Sequence, residues 1–284
     1  MNLLMTCLSP VLIFTLGKNQ SFSSKHCHNL MLIYAVIFIF DFIWRFVNPA
    51  TDMNIEKLDA IGYGFQIYKM NSIMYGDSNF VGVQGIVFLS FYLWLWFEKV
   101  VIPKWPILII LVISILLSLS RAAAIALVLS FILLIALRNL KIMIYLFPVV
   151  FIAVVYAVIQ LFEFSYSDPS FHHRFEIFGL LTNFLEEADL ISVIFGVGIG
   201  NAKEFIGIGA HSLIPMLMIE LGVLGTITFF VFLFWCFTKK VSTILMIIPF
   251  LTCSLATAST AVPFFTTLMS LTYLISKNKL TISD

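Results

Sequence analysis

Apolar residues run through this chain in long blocks broken by short polar connections. The blocks cover about 1–17, 29–47, 79–97, 105–120, 122–137, 142–162, 213–237, 244–258 and 262–276. Several reach the roughly 17–25 residues that carry a helix across a bilayer. Backbone in hydrocarbon must satisfy its own polar groups, which predicts helices throughout. The fourth and fifth blocks meet around Ser120-Arg121, and the last two form a short hairpin closed by Ala261-Val262-Pro263. No internal repeat or low-complexity linker divides the series. The expected fold is all-α, a polytopic membrane helical bundle of about nine spans, with residues 1–284 as one integral-membrane domain.

The long polar interruption at 163–212 breaks this rhythm. Within it Phe171, Phe175, Phe178, Leu181 and Leu185 recur at helical spacing, which predicts an amphipathic helix lying on the membrane surface. Asp168-Pro169-Ser170 supplies its start signal. Glu186, Glu187 and Asp189 read as solvated charges, and the adjacent His172 and His173 as surface residues, since helical neighbours point in different directions.

Composition sharpens the class. Hydrophobic residues make up 61% and charged residues 11%, with mean hydropathy +1.06, which excludes an ordinary soluble domain. A net charge of +1 leaves no basic surplus for nucleic acid. Cys7, Cys236 and Cys253 fall in apolar runs and Cys27 in a basic connection, without metal or redox spacing, so they read as unpaired thiols. The first block has no basic flank before it and more helices after it, unlike a signal peptide.

Orientation follows from Lys and Arg. Ten of the sixteen lie in alternate connections: Lys18, Lys25, Lys99, Lys104, Arg138, Lys141, Lys239, Lys240, Lys277 and Lys279. That side is cytoplasmic by the positive-inside rule. Residues 48–78 and 163–212 then lie on the other side, together with Arg45, Arg121, Arg174 and Lys203. The same alternation puts Met1 outside, so either helices precede this chain in a longer protein or it is a short version.

The chemistry-bearing residues gather on that outer side. Arg121, in Ser118-Leu119-Ser120-Arg121-Ala122-Ala123-Ala124, is a permanent cation between two apolar runs. It is either paired there or snorkels to headgroups. Arg174 sits among bulky aromatics in Phe171-His172-His173-Arg174-Phe175. His211 follows Gly196-Val197-Gly198-Ile199-Gly200-Asn201 and Gly207-Ile208-Gly209-Ala210. Those glycines lack the preceding strand and the spacing of a nucleotide fingerprint, but they permit tight folding or close approach. Continued as a helix, His211, Pro215, Gly222 and Gly225 share one face, where an imidazole suits a general base. Glu220 falls on the opposite face, as a site residue or a helix-packing hydrogen bond. Two guanidiniums and a histidine point to a diphosphate and a hydroxyl to be activated, with leaving-group charge met by arginine and no metal or cofactor.

The order Ser-Arg-small-small, then Arg with aromatics, then Gly-x-Gly-x-Gly-Asn, Ala-His-Ser and Glu-x-Gly-x-x-Gly, resembles the O-antigen polymerase (Wzy) and O-antigen ligase (WaaL) superfamily over residues 75–237. Tyr75-Gly76-Asp77-Ser78-Asn79-Phe80 is similar to its Asp-Pro-Asn-like entry to a span, with Ser78 where proline is common. His211-Ser212 stands where His-Asn is usual. The resemblance implies a multi-pass enzyme of the bacterial inner membrane, active at the periplasmic face on undecaprenyl-diphosphate-linked oligosaccharides. Arg121 and Arg174 would hold the donor diphosphate and His211 would take or position the acceptor proton, with Glu220 and Asn79 in support. A chain-length regulator is an expected partner beside the lipid bilayer. The Phe- and Ile-rich composition and looser motifs favour polymerase over ligase. A flippase or transporter is the alternative of another class; it predicts mid-membrane polar residues and an inverted repeat, whereas Asp41 and Glu220 are the acids deep in spans. A structural membrane partner is a third reading.

Overall fold

The computed structural model describes residues 2–17, 20–50, 64–139, 169–207, 212–255, 257, 262–277 and 280–283. Helices dominate: α1 (Asn2–Leu16), α2 (Ser24–Val47), α3 (Ser78–Phe97), α4 (Trp105–Leu117), α5 (Arg121–Arg138), α6 (Pro169–Glu187), α7 (Leu190–Phe195), α8 (Ala202–Ile206), α9 (Leu213–Lys239), α10 (Ile244–Ser254) and α11 (Val262–Ser276). The predicted block 142–162 lies outside the described residues; the other eight blocks are each occupied by helix. Among the described residues α2, α3, α5 and α9 are long and apolar enough to cross a membrane, and α4, α10 and α11 are shorter apolar helices. This is the make-up of a helical membrane protein. Backbone contacts divide the chain into two compact units, one of residues 2–130 with 236–284 and one of 131–235.

In the first unit α3 is the centre. Its apolar window is 89% buried, against 28% for α2, so the flanking helices turn apolar side chains outward while α3 is enclosed. It packs against α2, α4, α10 and α11, and α1 packs on α11. Gly82 lets a neighbour come close: a Cβ there would sit 2.6 Å from Ser118 Oγ and 2.9 Å from Ala123 Cβ, the small-residue contact that bilayer helices use.

The connections of this unit sort to two ends, as alternating helices require. At one end β1 (Gln20–Ser23) pairs in parallel with β4 (Leu280–Ser283). There Lys240 also pairs with Glu98 at 2.6 Å, and Trp94 Nε1 donates to Ser242 Oγ. At the other end β2 (Met70–Ser72) and β3 (Gly76–Asp77) form a small antiparallel ribbon against α2 and α3.

Val262 and Pro263 open α11, where the predicted block 262–276 begins, and proline suits a first turn because its missing N–H would have no partner there. One predicted detail changes. The block 213–237 is not one continuous helix: Gly222, at φ 67° and ψ −173°, breaks α9.

In the second unit α6 starts where the Asp-Pro-Ser signal places it. Its buried residues are Ile177, Leu181 and Phe184, of which Leu181 belongs to the predicted stripe. Phe205 of α8 meets Phe184 edge-on at 6.3 Å.

Candidate functional site

Three local structures carry the residues singled out above. The first is the turn between α4 and α5. Ser118 Oγ donates to Ile115 O and accepts from Ser120 N, and this brace holds Leu119 at φ 56°. A left-handed non-glycine residue costs of order 1–3 kcal/mol and persists only where its surroundings fix it. Arg121 then opens α5, exposed at the first turn, where the helix dipole favours an anion.

The start of α3 packs on the same turn. Asp77 caps the helix, accepting from Asn79 N at 2.8 Å and from Asn79 Nδ2 at 3.0 Å, so the Asn79 amide takes part in the cap. Ser78 explains why proline is absent from this position. Its Oγ donates to Ser118 O at 2.6 Å and its N–H to Lys69 O at 2.8 Å, a backbone bond that proline lacks. Ser78→Ala is expected to lower stability in detergent by about 1–3 kcal/mol, the cost of an orphaned buried acceptor. Ser78→Pro should cost more, and a thermal melt of both variants checks the order.

The second structure is a buried ion pair that sequence reading did not single out. Asp41 and Arg45, one turn apart on α2, meet at 2.8 Å with side chains 1% exposed. Arg45 also donates to Tyr68 O and Leu117 O. Asp41 accepts from Ser72 Oγ at 2.7 Å and Ile73 N at 2.9 Å. The pair therefore joins α2, the β2–β3 ribbon and the end of α4 just before the Ser118 turn. Beside it Tyr75 donates to Gln84; burial pushes its phenol up to about 12, partly opposed by that hydrogen bond.

The third structure lies in the second unit, where the glycine run meets the break in α9. Val197 N donates to Ile219 O at 2.9 Å and Gly198 N to Glu220 O at 3.2 Å. Gly200 N donates to the Glu220 carboxylate at 2.9 Å. The backbones touch: a Cβ on Gly196 would lie 2.4 Å from Glu220 C, and one on Gly222 2.3 Å from Ile194 O. Glu220 thus binds the glycine run directly. The shared face drawn through His211, Pro215, Gly222 and Gly225 ends at Gly222, because positive φ there resets the helical register. Nearby, α6, α7 and α8 enclose a cleft of about 490 Å³ lined by Glu187 and Asp189 as well as Phe184 and Phe205. Its two carboxylates suit it poorly to a phosphate.

His211 and the Arg174 side chain lie outside what is described; the Arg174 backbone belongs to α6. Arg121 and Asn79 belong to the first unit, Arg174 and Glu220 to the second. Among the described residues no cluster of His, Cys, Asp or Glu is placed to hold a metal ion. Compared with known proteins, the chain matches no family, no curated protein and no solved structure.

Proposed function

We propose that this chain is a surface-polysaccharide polymerase: a nine-span enzyme of the bacterial inner membrane that joins undecaprenyl-diphosphate-linked oligosaccharides at the periplasmic face, without a metal. The observation that carries the reading is the clasp between Gly-x-Gly-x-Gly-Asn and Glu-x-Gly-x-x-Gly. Two segments whose order suggests the superfamily are bonded to each other through Val197, Gly198 and Gly200, which supports reading them as parts of one motif. The exposed Arg121 at the α5 N-terminus supports an anionic donor.

In the proposed reaction the acceptor hydroxyl oxygen attacks the donor's anomeric carbon. The bond from that carbon to the diphosphate oxygen breaks, and undecaprenyl diphosphate leaves with its charge met by arginine. His211 takes the hydroxyl proton. A broken span is also a feature of transporters, where unwound carbonyls coordinate an ion. Here the Ile219 and Glu220 carbonyls already accept hydrogen bonds from the glycine run, which favours an enzyme. A ligase would use the same donor with lipid A-core as acceptor.

A gel of surface polysaccharide from a deletion strain tests this. Wild type should restore the ladder, while Arg174→Ala or His211→Ala at equal protein level should leave core carrying a single repeat unit. Loss of even that unit points to a ligase, and a normal ladder in the variants overturns the site assignment.

A further inference from the structure

Residues 190–202 carry no charge between Asp189 and Lys203, and a stretch of about 10–14 such residues is too short to span a bilayer but long enough to enter one. Its large α7 side chains point outward: Leu190 is 73% exposed, Ile191 70% and Phe195 61%. Its backbone is closed on itself and on α9. Gly196 N reaches Ser192 O, Val197 N reaches Ile219 O, Gly198 N reaches Glu220 O, and Asn201 N reaches Gly198 O. Gly200 N reaches the Glu220 carboxylate, and Asn201 Nδ2 reaches Val197 O. Apolar side chains outside and a backbone with most of its N–H groups bonded inside are what hydrocarbon favours in an irregular segment.

Gly196 touches Glu220 and Leu221, and Gly222 touches Ile194, so this segment is fixed at the level of the break in α9. From Gly222 to Lys239 a helix rises about 25 Å, at about 1.5 Å per residue, within a hydrocarbon core of about 30 Å. The break therefore sits inside the far boundary of that core, and the segment sits with it. Asp189 marks the polar edge: hydrogen bonds from the Ser192 hydroxyl and backbone hold its carboxyl below the usual carboxylate range, so it stays charged while capping α7.

We infer that residues 190–202 form a re-entrant element, clasped to the broken α9, whose α7 side chains rest among the lipid acyl chains of the leaflet opposite Lys239. The inference goes beyond the proposed reaction and does not depend on it.

Nitroxide labels test it in lipid nanodiscs, on a variant with the native cysteines replaced. Labels at Ile191→Cys and Phe195→Cys should collide more with oxygen than with a water-soluble nickel chelate, as at the α9 control Phe234→Cys. The opposite ratio is expected at Glu187→Cys, on the charged end of α6. A chelate-dominated ratio at both α7 positions overturns the proposal. Hydroxyl-radical footprinting of the unaltered chain provides the same contrast if the cysteine-free variant fails to fold. Phe195 should be protected as Phe234 is; dose-dependent oxidation of Phe195 with Phe234 unmodified overturns the proposal.

Discussion

Gly222→Ala is expected to abolish the folded protein or, where some survives, its activity. Two costs combine. At φ 67° and ψ −173° the backbone occupies a region that is essentially glycine-only, costing about 1–3 kcal/mol for another residue. The added Cβ would also lie 2.3 Å from Ile194 O, a backbone atom that cannot swing aside. Relief requires α7 to lift from α9, which breaks the bonds from Val197 and Gly198 and releases Glu220 from Gly200. Gly196→Ala should act alike from the other side of the same contact. Gly179→Ala is the control: it lies in α6 with open space around it and should leave stability unchanged or raise it by up to about 1 kcal/mol. Monodisperse yield and thermal unfolding in detergent measure all three.

Asp41→Leu and Arg45→Met should each destabilise by about 3–5 kcal/mol, because each leaves a buried charge without its partner. The double replacement Asp41→Leu with Arg45→Met should be milder than the sum of the single changes. It removes both charges, although Ser72 Oγ, Ile73 N, Tyr68 O and Leu117 O still lose their partners. Additive losses in thermal melts would mean that the two residues act separately. Activity should fall with stability in the single variants, since Leu117 immediately precedes the Ser118–Ser120 turn that presents Arg121.

Much of the helical frame was legible from hydropathy, because a bilayer-length apolar run has few other outcomes. The interruption at Ser120-Arg121 and the Asp-Pro-Ser start of α6 were visible for local reasons, a polar turn and a fixed proline φ. The Asp41–Arg45 pair was within reach of the sequence as an i, i+4 acid and base on one helix. Alternation assigned Arg45 to the outer loop side instead, and nothing local reveals that Tyr68 and Leu117 would enclose it. The break at Gly222 was not legible. A glycine in a membrane helix commonly serves packing, and only the arrival of Ile194 and Gly196 against it makes a positive φ necessary. The same contact explains the glycine run, which sequence alone assigned to tight folding or ligand approach and which the fold uses to seat one backbone on another.

The central claim is glycan polymerisation from lipid-linked donors. Its most direct measurement uses the purified full chain in proteoliposomes with undecaprenyl-diphosphate-linked repeat units extracted from the deletion strain, in the presence of a metal chelator. The account predicts a ladder of lengthening lipid-linked glycans with release of undecaprenyl diphosphate, lost in His211→Ala. Units that stay single while moving from one leaflet to the other would contradict it and make the chain a flippase.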